Sequence, residues 1–302
     1  MLMNNLSLQR GRGLFLNKNC CVKHPVLGEI ESLDYDKYEQ GLVNEYGYDK
    51  YNQLLYSLIL NSKDLADILW FENQVWYEDI KSEWDFFIQR ALAQTKIIEV
   101  DMDIEDIQGR TKAIAIEGNI KEALKFFLKI DGEFILIEKS IENSDQYQIV
   151  LCNAKFKKVF LNENNEEENL YYANEDSFKF TELYYNKVVQ FLKQINWINI
   201  EYDFVKGGTK NAKIYILKNL YKKRSKNKKQ TIDISTINSS INAKGKEDTW
   251  NMPIYAFYDC YYRLVKIDEY NNTMSALYAG GIDTKKNPIN WEKINWSSVI
   301  IN

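Results

Sequence analysis

Three observations predict an α+β protein. Helix-spaced apolar stripes stand near both ends of the chain. An Asp131-Gly132 turn separates two strongly apolar runs in the middle. Only three Pro and 13 Gly occur in 302 residues, so sharp turns are few. That favours long helices and hairpins over a many-stranded barrel. The expected layout has three parts. A hairpin and helical region covers 1–95, a small antiparallel β region 96–170, and a helical domain with a basic stretch 171–302.

The first element expected is a β-hairpin within Leu14 to Leu33. Its runs, Lys18–Lys23 and Glu29–Leu33, flank His24-Pro-Val-Leu-Gly28, and Pro with Gly in a short loop supports that pairing. Residues 34–95 read as helical. Tyr51, Leu54, Leu55, Leu58 and Ile59 follow the i, i+3, i+4, i+7, i+8 pattern of one helix face. A second helix is expected after Ser62. A third is expected over Tyr77–Leu92, with Trp84, Phe87, Ile88 and Ala91 inward.

In the central region, Lys125–Ile130 and Glu133–Glu138 read as strands around a type I′ Asp-Gly turn. Helix potential in 120–129 competes with the first of them. Gln146–Cys152 and Phe156–Leu161 read as two more strands. The acidic, Asn-rich run Asn162–Asn169 is the best candidate boundary. Beyond it, Ser177 is expected to cap a helix through Asn196, with Phe180, Leu183, Tyr184, Val188, Phe191 and Leu192 on one side. Gly207-Gly208 breaks the chain, and Thr209 can cap a helix to about Lys229. Pro253 suits the first turn of a long helix, to about Ala279, ended by Gly280-Gly281. Ile254, Phe257, Tyr258, Tyr261, Leu264 and Val265 share one of its faces. The tail from Ile282, with Trp291 and Trp296, is expected to pack back on the helices.

Composition narrows the function classes. The 45% apolar content suffices for a core and excludes wholesale disorder. A net charge of −4 excludes a uniformly basic coat. Met1 to Arg10 has no apolar stretch of the signal-peptide kind, and Leu54–Leu60 is too short to span a membrane. A soluble protein made in the cytoplasm, with no membrane partner, is expected. Cys20, Cys21, Cys152 and Cys260 form no C-x-x-C pair and read as reduced, structural thiols. On one strand, Cys20 and Cys21 would face opposite ways.

Catalytic motifs fail one by one. His24 is the only histidine, which removes Ser-His-Asp triads and His-rich metal sites. It precedes Pro and reads as a turn residue. Asp101-Met-Asp103-Ile-Glu105-Asp106 opens like a calcium loop. Its sixth position is Asp106 rather than Gly, and its twelfth is Lys112 rather than Glu. A solvated acidic loop is favoured over a Ca²⁺ or Mg²⁺ site. Lys206-Gly-Gly-Thr-Lys210 has phosphate-loop letters in the wrong order. No enzyme, cofactor or metal is expected.

Charge is distributed unevenly. Residues 204–232 carry ten basic residues and no acid. Lys222, Lys223, Arg224, Lys226, Lys228 and Lys229 crowd its end. Such a stretch can neutralise phosphates, or it can be a solvated or protein-docking helix end. A single Arg, and no aromatic within Lys222–Gln230, argue against base reading. Tyr255, Phe257, Tyr258, Tyr261, Tyr262 and Tyr270 exceed what one helix face buries, and Tyr is favoured at interfaces. Tyr258 and Tyr262 join the six basic residues as candidate partner or nucleic-acid contacts.

Several stretches together resemble a family. They are Val22-Lys-His-Pro-Val-Leu-Gly-Glu-Ile30, Gly207-Gly-Thr-Lys210, Pro253-Ile-Tyr-Ala-Phe-Tyr-Asp259, Tyr270-Asn-Asn-Thr-Met274, Tyr278-Ala-Gly-Gly-Ile-Asp283 and Lys293-Ile-Asn-Trp296. The family is encoded among the tail genes of phages and prophages of Gram-positive bacteria. The resemblance covers the two ends better than 96–175 and supplies no catalytic residue. It implies a non-enzymatic role in tail morphogenesis, foremost as an assembly chaperone in the host cytoplasm. The partners implied are other tail proteins, of the tape measure, the tube or the baseplate. A structural part of the virion tail or baseplate is the alternative, and a nucleic-acid-binding accessory protein is the third reading. A homo-oligomer stays open.

Overall fold

The computed structural model describes residues 3–18, 20–60, 82–104, 107–140, 147–162, 164–198, 215, 234–245, 248–282, 284 and 288–295. The chain is α+β, with helices packed against part of a closed sheet. The helices expected after Ser62 and over Thr209–Lys229 lie outside the described residues, as does Trp296.

Helix α1 (Asn5–Gln9) leads into a hairpin of β1 (Leu14–Asn17) and β2 (Cys20–Val22). The hairpin is real but sits one strand earlier than the sequence suggested. Glu29–Leu33, expected as its second strand, instead belongs largely to helix α2 (Leu27–Glu31). The cause is local: the Glu29 carboxylate accepts the Val26 N–H at 3.1 Å, satisfying a donor before the first turn. Cys20 is buried and Cys21 half-buried, as alternation on a strand requires.

Helix α3 (Tyr35–Glu39) and helix α4 (Gly47–Leu58) follow, and the stripe Tyr51, Leu54, Leu55 and Leu58 is buried as its spacing demands. Helix α5 (Glu83–Leu92) is capped by Ser82, whose hydroxyl accepts the Asp85 N–H at 3.1 Å. It buries Trp84, Phe87, Ile88 and Ala91.

Strands β3 (Thr95–Ile104) and β4 (Ile107–Ile116) form a long hairpin. The expected strand Lys125–Ile130 is a helix as far as Leu128, in α6 (Gly118–Leu128). Ile120, Ala123, Leu124, Phe127 and Leu128 are all buried there. Their helical spacing outweighs the apolar run Phe126-Phe127-Leu128 that mimics a strand. Strand β5 (Glu133–Ser140) then pairs with β6 (Tyr147–Leu161), which is one strand with an irregularity at Phe156/Lys158 where two were expected. The acidic run is the turn into β7 (Glu167–Asn174) and the start of that strand. β7 lies antiparallel to β6 and parallel to β3. Short β8 (Lys179–Phe180) flanks β6.

The strands run β5-β4-β3-β7-β6, and β5 also pairs with β6, so the ring closes. The expected small central sheet is present, larger than foreseen and closed on itself as a five-stranded barrel. Five strands cannot close with antiparallel pairs alone, and β3–β7 is the parallel pair. Alternate residues fill the lumen: Ile98, Val100, Met102 and Ile104 with Ala113, Ala115, Ile135, Cys152, Ala154 and Ala173. A narrow barrel leaves room for alanines between the larger chains. Ala154→Leu is therefore expected to overpack the lumen and cost ~1–3 kcal/mol, measured as a lower urea midpoint.

The other strand faces carry Ile116, Phe134 and Leu151, which join the helices in a separate core. Helix α7 (Glu182–Ile195) starts after Thr181, not at Ser177, whose hydroxyl instead accepts the Asn174 N–H at 3.0 Å. It buries Val188, Phe191 and Leu192, while Leu183, expected inward, is exposed. Helix α8 (Ile234–Ala243), helix α9 (Ile254–Tyr278) and short α10 (Trp291–Ile294) complete the chain. In the tail, Ile294 is buried while Trp291 stays half-exposed.

The N-terminal segment is stitched to the start of α9. Ile254 N–H donates to Pro25 O at 3.0 Å, Leu27 N–H to Met252 O at 3.0 Å, and Gly28 N–H to Trp250 O at 2.9 Å. Two of the stretches that carried the family resemblance, Val22–Ile30 and Pro253–Asp259, therefore meet in space.

Candidate partner-binding surface

Helix α9 begins where Pro253 sets the backbone and ends at Tyr278, with Ala279 closing it before Gly280 at φ 71°. Its 25 residues span roughly 37 Å. Only its start is deeply anchored. Ile254, Tyr255, Phe257 and Asp259 are buried. Asp259 accepts from Gln9 Nε2 at 3.0 Å and from Arg263 Nε at 2.9 Å, so its buried charge is paired. From Cys260 to Tyr278 no residue is fully buried. Along that length stand Tyr261, Leu264, Val265, Met274, Leu277 and Tyr278, the last 83% exposed.

The two candidate tyrosines differ. Tyr258 shares a 3.0 Å hydrogen bond between its hydroxyl and that of Tyr48. Burial pushes its phenol well above the usual tyrosine range. It ties α9 to α4. Tyr262 is 39% exposed and stacks on Trp197, with ring centroids 4.8 Å apart and planes 16° apart. Trp197 itself holds φ 55° just past α7. Lys222, Lys223, Arg224, Lys226, Lys228 and Lys229 lie outside the described residues.

The acidic run of β3 belongs to a hairpin, not to a loop. Asp101 pairs with Lys157, and the Lys157 ammonium lies 5.4 Å from the centre of the Tyr172 ring. Glu105 and Asp106 lie outside the described residues. Among the described residues, no three His, Cys, Asp or Glu side chains gather as metal ligands. No helix of the described residues is long and apolar enough to cross a membrane.

Two features escaped sequence reasoning. An open cleft of about 390 Å³ is lined by Glu31, Tyr38, Glu45, Tyr46, Tyr48 and Asp49, among others. Burial, aided by Asp49, raises the Glu31 carboxyl above its ordinary range. Its acids come from different elements, so no local motif announces them. The second feature is the exposed apolar face of the β6–β7 hairpin. Its signal was the pattern Phe156, Val159, Leu161 among lysines.

Residues 224–300 are similar to the YomV second domain. That is a phage-associated family. The match covers roughly a quarter of the chain and takes in α8, α9 and α10. Neither a curated protein nor a solved structure matches the chain.

Proposed function

We propose that this is a non-enzymatic phage tail-morphogenesis protein, an assembly chaperone that holds another tail component. The observation that carries the reading is α9. It lies in the segment similar to a phage-associated domain, and beyond Asp259 it presents tyrosine and aliphatic side chains without burying any of them fully. Aromatic surface of that kind is what partner binding uses.

The test is quantitative mass spectrometry of purified particles beside the producing lysate. Abundance in the lysate with absence from particles is the expected result. Stoichiometric copies in the particle would replace the chaperone with a structural tail component. A Val265→Glu, Tyr278→Glu protein should keep its melting temperature, because both residues are exposed. It should weaken binding of the held component about tenfold, or about 1.4 kcal/mol, and thereby lower the yield of infectious particles.

A further inference from the structure

The β6–β7 hairpin projects past the barrel. β5 stops pairing with β6 at Ala154, and β3 stops pairing with β7 at Leu170. Beyond those points the hairpin continues through Lys158↔Leu170, Val159↔Asn169, Phe160↔Glu168 and Leu161↔Glu167. Directly opposed residues share a face. One face therefore holds Phe160, Leu170 and Glu168, and it is covered: the Arg110 guanidinium sits 3.7 Å from the Phe160 ring centre, its Nε donates to Glu99 at 2.9 Å, and Leu170 is buried. The opposite face holds Phe156, Val159 and Leu161, which are 56%, 50% and 61% exposed. Beside them stand Tyr171, Asn169 and Glu167.

A contiguous apolar stripe left open on a projecting hairpin, when its reverse side is closed by an arginine, marks a contact surface. It runs roughly 16 Å at about 3.3 Å per residue. The charge at its end is one-signed. Glu167 shares the face across from Leu161, and Glu166 follows in the turn. Neither is ion-paired among the described residues, whereas Asp101 and Glu99 on the barrel wall both are. An acidic partner would meet repulsion at this rim and a cationic one attraction. We propose that the Phe156–Val159–Leu161 face of the hairpin binds an amphipathic helix of a partner protein, its apolar side on the stripe and Lys or Arg beside Glu166 and Glu167. This assignment does not rest on the phage reading, because it concerns purified protein and a chemically defined ligand.

The probe is a pair of labelled helical peptides of about 18 residues, one built of Leu and Lys, the other of Leu and Glu in the same pattern. Fluorescence anisotropy with the full chain should show binding of the Leu/Lys peptide only. Phe156→Ser, Val159→Ser, Leu161→Ser together should weaken it about tenfold with the thermal melt unchanged. Glu166→Gln, Glu167→Gln should weaken it too and reduce its salt dependence. Glu31→Gln, Glu45→Gln, Asp49→Asn, in the separate acidic cleft, should leave it unchanged, which separates a hairpin site from general attraction to an acidic protein. Equal binding of both peptides, wild-type affinity in the serine variant, or loss with the cleft variant would each overturn the proposal. So would a dimer by sedimentation velocity that the serine variant turns into a monomer, since the occupant would then be a second copy.

Discussion

Gly132→Ala is expected to be among the most destabilising single substitutions in the chain, costing ~3 kcal/mol or more. Two effects coincide at this position. The residue holds φ 112°, a backbone region that side chains avoid. A Cβ there would stand 2.4 Å from the Ala154 carbonyl oxygen, which is backbone and cannot swing away. Its neighbours are fixed as well: Asn153, almost wholly buried, donates from Nδ2 to Asp131 O at 2.9 Å. Relief would require β5 to separate from β6 where Glu133 faces Ala154, which would unlock the barrel. Gly109 is the control. It holds φ 92° with nothing within 4 Å of a Cβ, so Gly109→Ala should cost only the backbone penalty of ~1 kcal/mol. Urea denaturation of the two variants should show a much lower midpoint for Gly132→Ala. Equal midpoints would mean that the close approach to Ala154 does not matter.

Gly132 also shows how the sequence could be read rightly and wrongly at once. Gly132 does stand at φ 112° just before a strand, but Asp131 is not at positive φ, so the expected type I′ hairpin turn does not form. The element before it is a helix, because five buried residues at helical spacing outweigh one aromatic pair. Helix α9 was legible almost to the residue, since Pro253 and Gly280 fix its ends through backbone constraints alone. The alternation of Ile98, Val100, Met102 and Ile104 was present in the sequence too. Closure of the ring was not, because the β3–β7 pairing joins segments far apart in the chain and local periodicity carries no information about it. The candidate site was legible only by composition. Tyr258 and Tyr262 stand four residues apart on the same side of α9. Only the fold decides that one meets the Tyr48 hydroxyl and the other the Trp197 ring.

Between pH 7 and pH 5 the protein is expected to lose about 2 kcal/mol of stability through one residue, His24. His24 is 7% exposed and lies where the N-terminal segment meets α9. Its Nε2 accepts the Tyr255 N–H at 3.3 Å, and its ring meets Phe191 edge-on at 5.9 Å. A proton on Nε2 would abolish that acceptor and place a cation against the positive end of a helix. Burial therefore lowers the His24 pKa from 6.5 to about 4, against a smaller upward pull from the Arg12 backbone. The folded value lies below the unfolded one, so the unfolded chain takes up the proton first as pH falls. The stabilisation is complete above about pH 6.5 and is lost progressively down to about pH 4, about 3 kcal/mol in all. Glu31, whose carboxyl is raised by burial, titrates in the opposite sense. The decisive quantity is therefore the difference between wild type and His24→Gln, which retains an acceptor for Tyr255 but does not titrate. Urea midpoints at pH 7 and pH 5 should fall steeply for wild type and much less for His24→Gln. Because the chain has a single histidine, one imidazole proton resonance reports the folded pKa directly. A titration midpoint near 6.5, or equal pH slopes in the two proteins, would show that the joint between the N-terminal segment and α9 does not exclude the charge.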